Sequence, residues 1–308
     1  MRVSKKLKLG VFPTFLVLLA MLVTACGGSS TPGTTPTGQH TKASQSQQVM
    51  VSAEEAGISD FGTLDPALVS SALDSYAITK IFVGMVQVND QGQVYCELCS
   101  TYSVASDGVT WTFTLRSGLK FSDGTPLTSS DVVYSINRAL DPATASPVGP
   151  YYLRYIKDAS TFAAGGSKIK TLIGDSLLAP DPQTVKIVAA SPVAFFLDAL
   201  TYPTSFVVEK SLITQYGKRW TDHLSDNGGQ GGAGPWKVQS YVHSKQIVYV
   251  PNPNYWGPKP QLQKFVAQFF KVADTTYQVY LTNGLDDTGI PIADLPTAKT
   301  RSDYHQSP

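Results

Sequence analysis

Residues Gly228 to Trp236 read GGQGGAGPW, and Gly229, Gly231 and Gly234 stand in the G-x-G-x-x-G spacing of a dinucleotide-binding turn. That chemistry needs a strand before the glycines and a helix after them, because the pyrophosphate sits on the free N–H groups of the first helical turn. Here HLSDN precedes the run, and Pro235 then WKVQSYV follow it. No helix start is available, so the spacing predicts a structural turn leading into a strand. Cys96 and Cys99 have C-x-x-C spacing in CELC. A metal or redox pair calls for a second cysteine pair or a positioned histidine, and the neighbouring sequence offers neither. We expect two small residues packed beneath the strand at Trp111, with a local disulfide as the alternative. The four histidines, His40, His223, His243 and His305, form no H-E-x-x-H motif, and G-x-S-x-G does not occur. The sequence therefore points to no catalytic residues, no metal site and no cofactor.

Composition narrows the class further. The chain has 308 residues, 42% of them hydrophobic, enough for a substantial core. Net charge is +1, which gives no electrostatic reason to bind nucleic acid. The amino terminus carries Arg2, Lys5, Lys6 and Lys8 without an acid, then an apolar run from Val11 to Val23, then Thr24-Ala25-Cys26. That order predicts an export signal over residues 1–25. The apolar run is short for a membrane span. Removing residues 1–25 leaves 20 basic and 23 acidic side chains, net −3. Residues 27–48 hold no large apolar side chain and cannot offset the entropy of ordering. They predict a tether with a span of roughly 25 Å.

From residue 49 onward the patterning is mixed α/β. SYAITKIFVGM places Ala77, Ile78, Ile81, Phe82 and Met85 on a helical stripe, and QVNDQGQVY reads as a hairpin tip. GVTWTFTL alternates strictly, with Val109, Trp111, Phe113 and Leu115 on one face. Asp123-Gly124 predicts a turn. Thr128 with Asp131 predicts a capped helix whose apolar face is Val132, Val133, Ile136 and Leu140. QTVKIV reads as a strand. SPVAFFLDAL reads as a helix capped by Ser191 with Pro192 at its first position. PWKVQSYV and KQIVYV read as paired strands.

Several stretches together resemble the peptide/nickel class of bacterial ABC-transporter solute-binding proteins. LRSGLKFSDGTPLTSSDVVYSINR (Leu115–Arg138) is similar to that family's strand, Asp-Gly-x-Pro turn and capped helix. TLDPA, GAGPWKV and NPNYWG (Asn252–Gly257) resemble three further segments, and the likeness runs from about residue 49 to about residue 289. It implies a two-lobed, periplasmic-binding-protein-like fold with the first lobe at 49–289, and 290–308 the start of the crossover to a second lobe largely missing here. It also implies a lipoprotein: Cys26 is the lipidated residue, and 26–48 is the lipidated cysteine with its tether. DPATASPVGPYYLRY looks closest to the oligopeptide-binding subgroup, which implies a peptide ligand, an ABC permease as partner, and a monomer when full-length. Candidate ligand contacts carried by the likeness are Ser70, Ser71, Ala72, Val148 and Tyr151; Val148 departs from the aromatic residue usual there. One wall of a cleft leaves a ligand half exposed. As the alternative to a peptide binder, we therefore expect a truncated, non-binding surface lipoprotein, with peptide affinity at millimolar or weaker. The exposed Tyr151, Tyr152 and Tyr155 would then favour self-association.

The anchor is directly testable. Cells expressing Cys26→Ala are expected to lose the lipid-modified, membrane-pelleting form of the protein on fractionation. A variant cleaved after residue 25, free of lipid and still membrane-bound, would show that the anchor lies elsewhere.

Overall fold

The computed structural model describes residues 2–4, 44, 47–166 and 168–304. Cys26 and most of the expected tether lie outside the described residues, so the lipidation expectation has no structural counterpart here. In chain order the elements are β1 (Arg2–Ser4), β2 (Val49–Ala56), α1 (Ala72–Ile81), β3 (Val86–Val88), β4 (Val94–Cys96), β5 (Cys99–Val104), β6 (Thr110–Leu115), α2 (Ser129–Leu140), α3 (Gly149–Tyr152), α4 (Ala159–Ala163), β7 (Leu177–Asp181), β8 (Thr184–Val188), α5 (Phe196–Ala199), α6 (Lys210–Tyr216), β9 (Trp236–Val242), β10 (Gln246–Pro251), β11 (Lys264–Phe270), α7 (Asp274–Leu281), β12 (Asp287–Gly289) and α8 (Leu295–Ala298).

Two sheets organise them. The larger runs β1-β12-β2-β11-β10-β9, with β2 parallel to both β11 and β12 and the remaining pairs antiparallel. The smaller runs β5-β6-β8-β7, antiparallel throughout, and β3 and β4 form a separate hairpin. Strand β6 is inward at Trp111, Phe113 and Leu115, as its alternation predicts. Those residues share a core with Val132, Val133, Ile136 and Leu140 of α2. A second core forms where α1 lays Ala77, Ile78 and Ile81 against Val238, Ile247 and Tyr249 of the larger sheet. Tyr277, Tyr280, Leu285 and Ala298 make a small third cluster against Val51 and Ala53. The start of α2 is fixed locally. The Asp131 carboxylate accepts from the Thr128 N–H at 2.8 Å and from its hydroxyl at 3.1 Å, the expected capping arrangement.

Three expectations need correction. The stripe ending at Met85 overruns its helix: α1 stops at Ile81, and Phe82 is already extended. The freed Ile81 carbonyl accepts from Gly234 N–H at 2.8 Å, so a tertiary bond replaces another helical turn. The helix expected from Ser191 begins only at Phe196. The main chain before it is engaged elsewhere, with Ala189 N–H on Val109 and Ala190 N–H on Tyr155. Cys96 and Cys99 are not separate thiols but a disulfide. The turn from β4 into β5 brings their Cα atoms to 4.9 Å, inside the reach of a bridge.

The glycine run is a packing junction. Gly231 has φ +87°, which L side chains rarely adopt, and a Cβ at Gly232 would lie 2.2 Å from the Ile81 carbonyl oxygen. The run's carbonyls are taken as well. Ser122 N–H donates to Gly232 at 2.8 Å, and Asn252 Nδ2 donates to Gly234 at 2.8 Å. The run thus joins α1, the Asp123-Gly124 turn and the NPNYWG segment, with no helix start and no exposed donor row for a phosphate. Gly232→Ala is expected to destabilise the protein by about 2–3 kcal/mol, as overpacking against backbone does. Urea unfolding checks it, and a loss below about 0.5 kcal/mol would show that the junction yields freely.

Candidate functional site

The Leu64-Asp65-Pro66 segment carries a buried ion pair. Asp65 is 4% exposed, and its carboxylate takes both arms of the Arg138 guanidinium, at 2.9 and 2.5 Å. Trp220 Nε1 donates to the same carboxylate at 2.9 Å, and Ala67 N–H does so at 2.9 Å. Burial works against the charge on Arg138. The hydrogen bonds and attraction from Asp65 outweigh it and hold the guanidinium pKa above its ordinary value. The cluster ties together the last turn of α2, the segment leading into α1, and Trp220. It thereby fixes Ser70, Ser71 and Ala72, which are all exposed. Ser71 caps α1, its hydroxyl accepting from Asp74 N–H at 3.0 Å.

The second candidate segment follows α2. Gly149 starts α3 hard against the end of α2, where a Cβ would lie 2.3 Å from the Ala139 carbonyl oxygen. Ser146 Oγ accepts from Gly149 N–H at 2.8 Å. Val148 is half-buried, and its carbonyl accepts from Tyr151 and Tyr152 N–H groups at 3.0 and 3.1 Å, so its visible role is to start this turn. Tyr151 is 60% exposed. It opens a run of aromatic side chains: Tyr151 meets Tyr152 edge to face at 5.1 Å, and Tyr152 stacks on Tyr202 at 3.7 Å. Tyr155 meets Phe195 edge to face at 5.1 Å, and Phe195 is 51% exposed. Arg154 lies over the faces of both Tyr151 and Tyr155.

The two segments are linked through one turn. Pro203–Ser205 packs against both α1 and α2, and Tyr202 just before it carries the stack with Tyr152. Sequence reading missed Tyr202, Phe195 and Arg154. The first two are distant in the chain from Tyr151, and only Tyr202, just before Pro203, stands in turn-forming surroundings. Arg154 lies inside the quoted segment without a marker of its own.

A further clamp holds the disulfide loop. Glu97 is 3% exposed, and it accepts from the Tyr255 hydroxyl at 2.6 Å and from Trp256 Nε1 at 3.2 Å. Burial, and then that hydrogen bond, push the Tyr255 phenol well above its usual range. Arg116 spreads over the Trp256 ring at 3.7 Å and donates to the carbonyls of Glu97 and Cys96 at 2.8 and 3.1 Å. These are positioning contacts, with both bonds to the Glu97 carboxylate made through Oε1 and two Arg116 nitrogens on main-chain carbonyls. No group of three or more His, Cys, Asp or Glu among the described residues is placed to hold a metal ion.

With this geometry in hand, comparison with known proteins is specific. The profile of the bacterial extracellular solute-binding proteins, family 5 (middle), matches residues 93–307. The chain belongs to that family. The family is made of solute-binding proteins that are not enzymes. Relatives include the probable deoxycholate-binding periplasmic protein YgiS of Escherichia coli K12, 31% identical over 77% of this chain and 44% of its own length. Another is the oligopeptide-binding protein OppA of Bacillus subtilis 168, 26% identical over 92% of this chain and 50% of its own. The solved Borrelia burgdorferi oligopeptide-binding protein OppAIV superposes with a TM-score of 0.71 at 29% identity, covering 83% of this chain and 50% of that one. The murein tripeptide-binding protein MppA of E. coli gives 0.71 at 27%, covering 83% and 48%. The chain thus spans about half the length of the curated relatives it matches, and it has the mixed α/β architecture of one part of such two-lobed proteins.

Breaking the Asp65 cluster tests the frame beneath the site. Asp65→Ala leaves the Arg138 charge buried and unpaired, and is expected to cost about 3–5 kcal/mol in denaturant unfolding. A cost under 1 kcal/mol would show that the segment before α1 is held by other contacts.

Proposed function

We propose that the protein is the ligand-capturing lobe of an extracytoplasmic, lipid-anchored solute-binding protein that takes peptides and passes them to an ABC permease. One observation carries the reading. An aromatic shelf, with Tyr151 and Phe195 exposed and Tyr152, Tyr155 and Tyr202 half-buried, is braced through one turn to the exposed Ser70–Ala72 run, in a chain of this family. Rigid aromatic side chains supply contact area at small entropic cost, and binding surfaces favour them for that reason. The exposed serines and the main chain around Ser70 offer donors and acceptors to a peptide backbone. The Cys96–Cys99 disulfide fits an oxidising, extracytoplasmic setting. Cys26 supplies the lipid anchor in this reading, and relatives named for oligopeptides and murein peptides support the ligand class.

Saturation-transfer NMR of the purified chain against a mixed oligopeptide library tests this, since it reads millimolar affinities. Transfer to peptides is expected, and Tyr151→Ala is expected to reduce it severalfold with the unfolding midpoint unchanged. No transfer to any peptide at millimolar concentration would overturn the peptide reading.

A further inference from the structure

Arg154 is exposed and sits just past α3. Its guanidinium carbon is 4.4 Å from the centre of the Tyr151 ring and 4.8 Å from that of Tyr155. Nη2 donates to the Tyr155 hydroxyl at 2.7 Å. Four other arginines have their charge or their donors committed. Arg138 is paired with Asp65, Arg219 with Asp222 and Arg301 with Asp303, while Arg116 serves main-chain carbonyls. Three residues along, Lys157 is bracketed by Asp158 and Asp175. Among the described residues no carboxylate pairs with Arg154. Two ring faces and a phenol therefore hold this guanidinium in place without neutralising it. A guanidinium has five N–H donors in a rigid fork, and the phenol engages one nitrogen. The outer donors retain the geometry that a carboxylate accepts two at a time.

We propose that Tyr151, Arg154 and Tyr155 form a carboxylate-reading subsite, so that this lobe selects peptides carrying Asp or Glu side chains. The inference rests on the peptide-binding reading above and adds the chemical class of the ligand. Tyr151 offers its exposed ring to the aliphatic part of the acidic side chain, and Arg154 takes the carboxylate. Prior ordering by the two rings lowers the entropy lost on pairing, which is what makes most surface ion pairs weak.

The test uses the whole chain and two C-terminally amidated tetrapeptide libraries, identical except that every Glu in one is Gln in the other. NMR titration gives the ratio of the two affinities for wild type, Arg154→Gln and Arg154→Lys. Wild type is expected to favour the Glu library by about tenfold, the scale of one charge-assisted bond over a neutral one. That preference is expected to shrink as salt is raised. Arg154→Gln is expected to bring the ratio to about one, and Arg154→Lys to restore part of it. If peptides bind but wild type shows no preference, the subsite is overturned and the peptide reading stands. If Arg154→Gln weakens both libraries in proportion and keeps the ratio, Arg154 is a structural residue and the subsite is likewise overturned. If neither library binds at millimolar concentration, the peptide reading fails and the subsite fails with it.

Discussion

A single buried carboxylate governs the arrangement of this protein. Asp65 holds Arg138, the Trp220 indole and the Ala67 main chain at once. Each partner comes from a different structural unit: the end of α2 in the smaller-sheet core, the 3-10 helix Gly217–His223 after α6, and the approach to α1 on the larger sheet. A charged pair taken out of water is costly unless nearly every lone pair and proton is satisfied. Here both carboxylate oxygens and both arms of the guanidinium are used, so the two layers have one low-energy relation to each other. Both candidate ligand segments leave from the ends of this cluster. Their relative placement is inherited from it rather than from the loops that carry them.

The other junctions work by exclusion and by polar contacts between distant segments. At Gly232 and Gly149 the backbone approaches a neighbouring carbonyl so closely that no side chain fits. At Glu97 a buried acid accepts from Tyr255 and Trp256 while Arg116 ties down the loop around it. These contacts join segments distant in the chain and are buried at Glu97, which is why they read as frame. The aromatic shelf differs: its rings contact each other on one side and solvent on the other. That contrast, between contacts closed within the fold and rings open to solvent, separates scaffold from site in this molecule.

Much of this is legible from patterning, and the parts that are not share a cause. The alternation at Trp111, Phe113 and Leu115 and the Thr128–Asp131 cap rest on residues a few positions apart, so the sequence displays them directly. That the glycine run leads into a strand is legible too, because the residues after it carry no helix start and read as the strand β9. The end of α1 is hidden, since it depends on Gly234 reaching the Ile81 carbonyl from far along the chain. The late start of α5 is hidden for the same reason, its preceding residues being held by Val109 and Tyr155. The disulfide depends on turn geometry that C-x-x-C spacing permits without requiring. At the site, Tyr151 is marked by its neighbours in sequence, whereas Tyr202 and Phe195 arrive there only through folding.

The position of β2 in its sheet bears on the order in which the molecule can assemble. This strand is made early, yet its hydrogen-bonding neighbours β11 and β12 are among the last segments of the described chain. Residues 49–56 must wait for residues 264–270 before their main-chain groups are paired, and closing so long a loop is slow. Trp220, the third member of the Asp65 cluster, also arrives late. The nascent chain therefore cannot complete its larger sheet before residues 264–270 have been made. Under the proposed export, such a delay would leave the polypeptide open to threading through a narrow secretion channel.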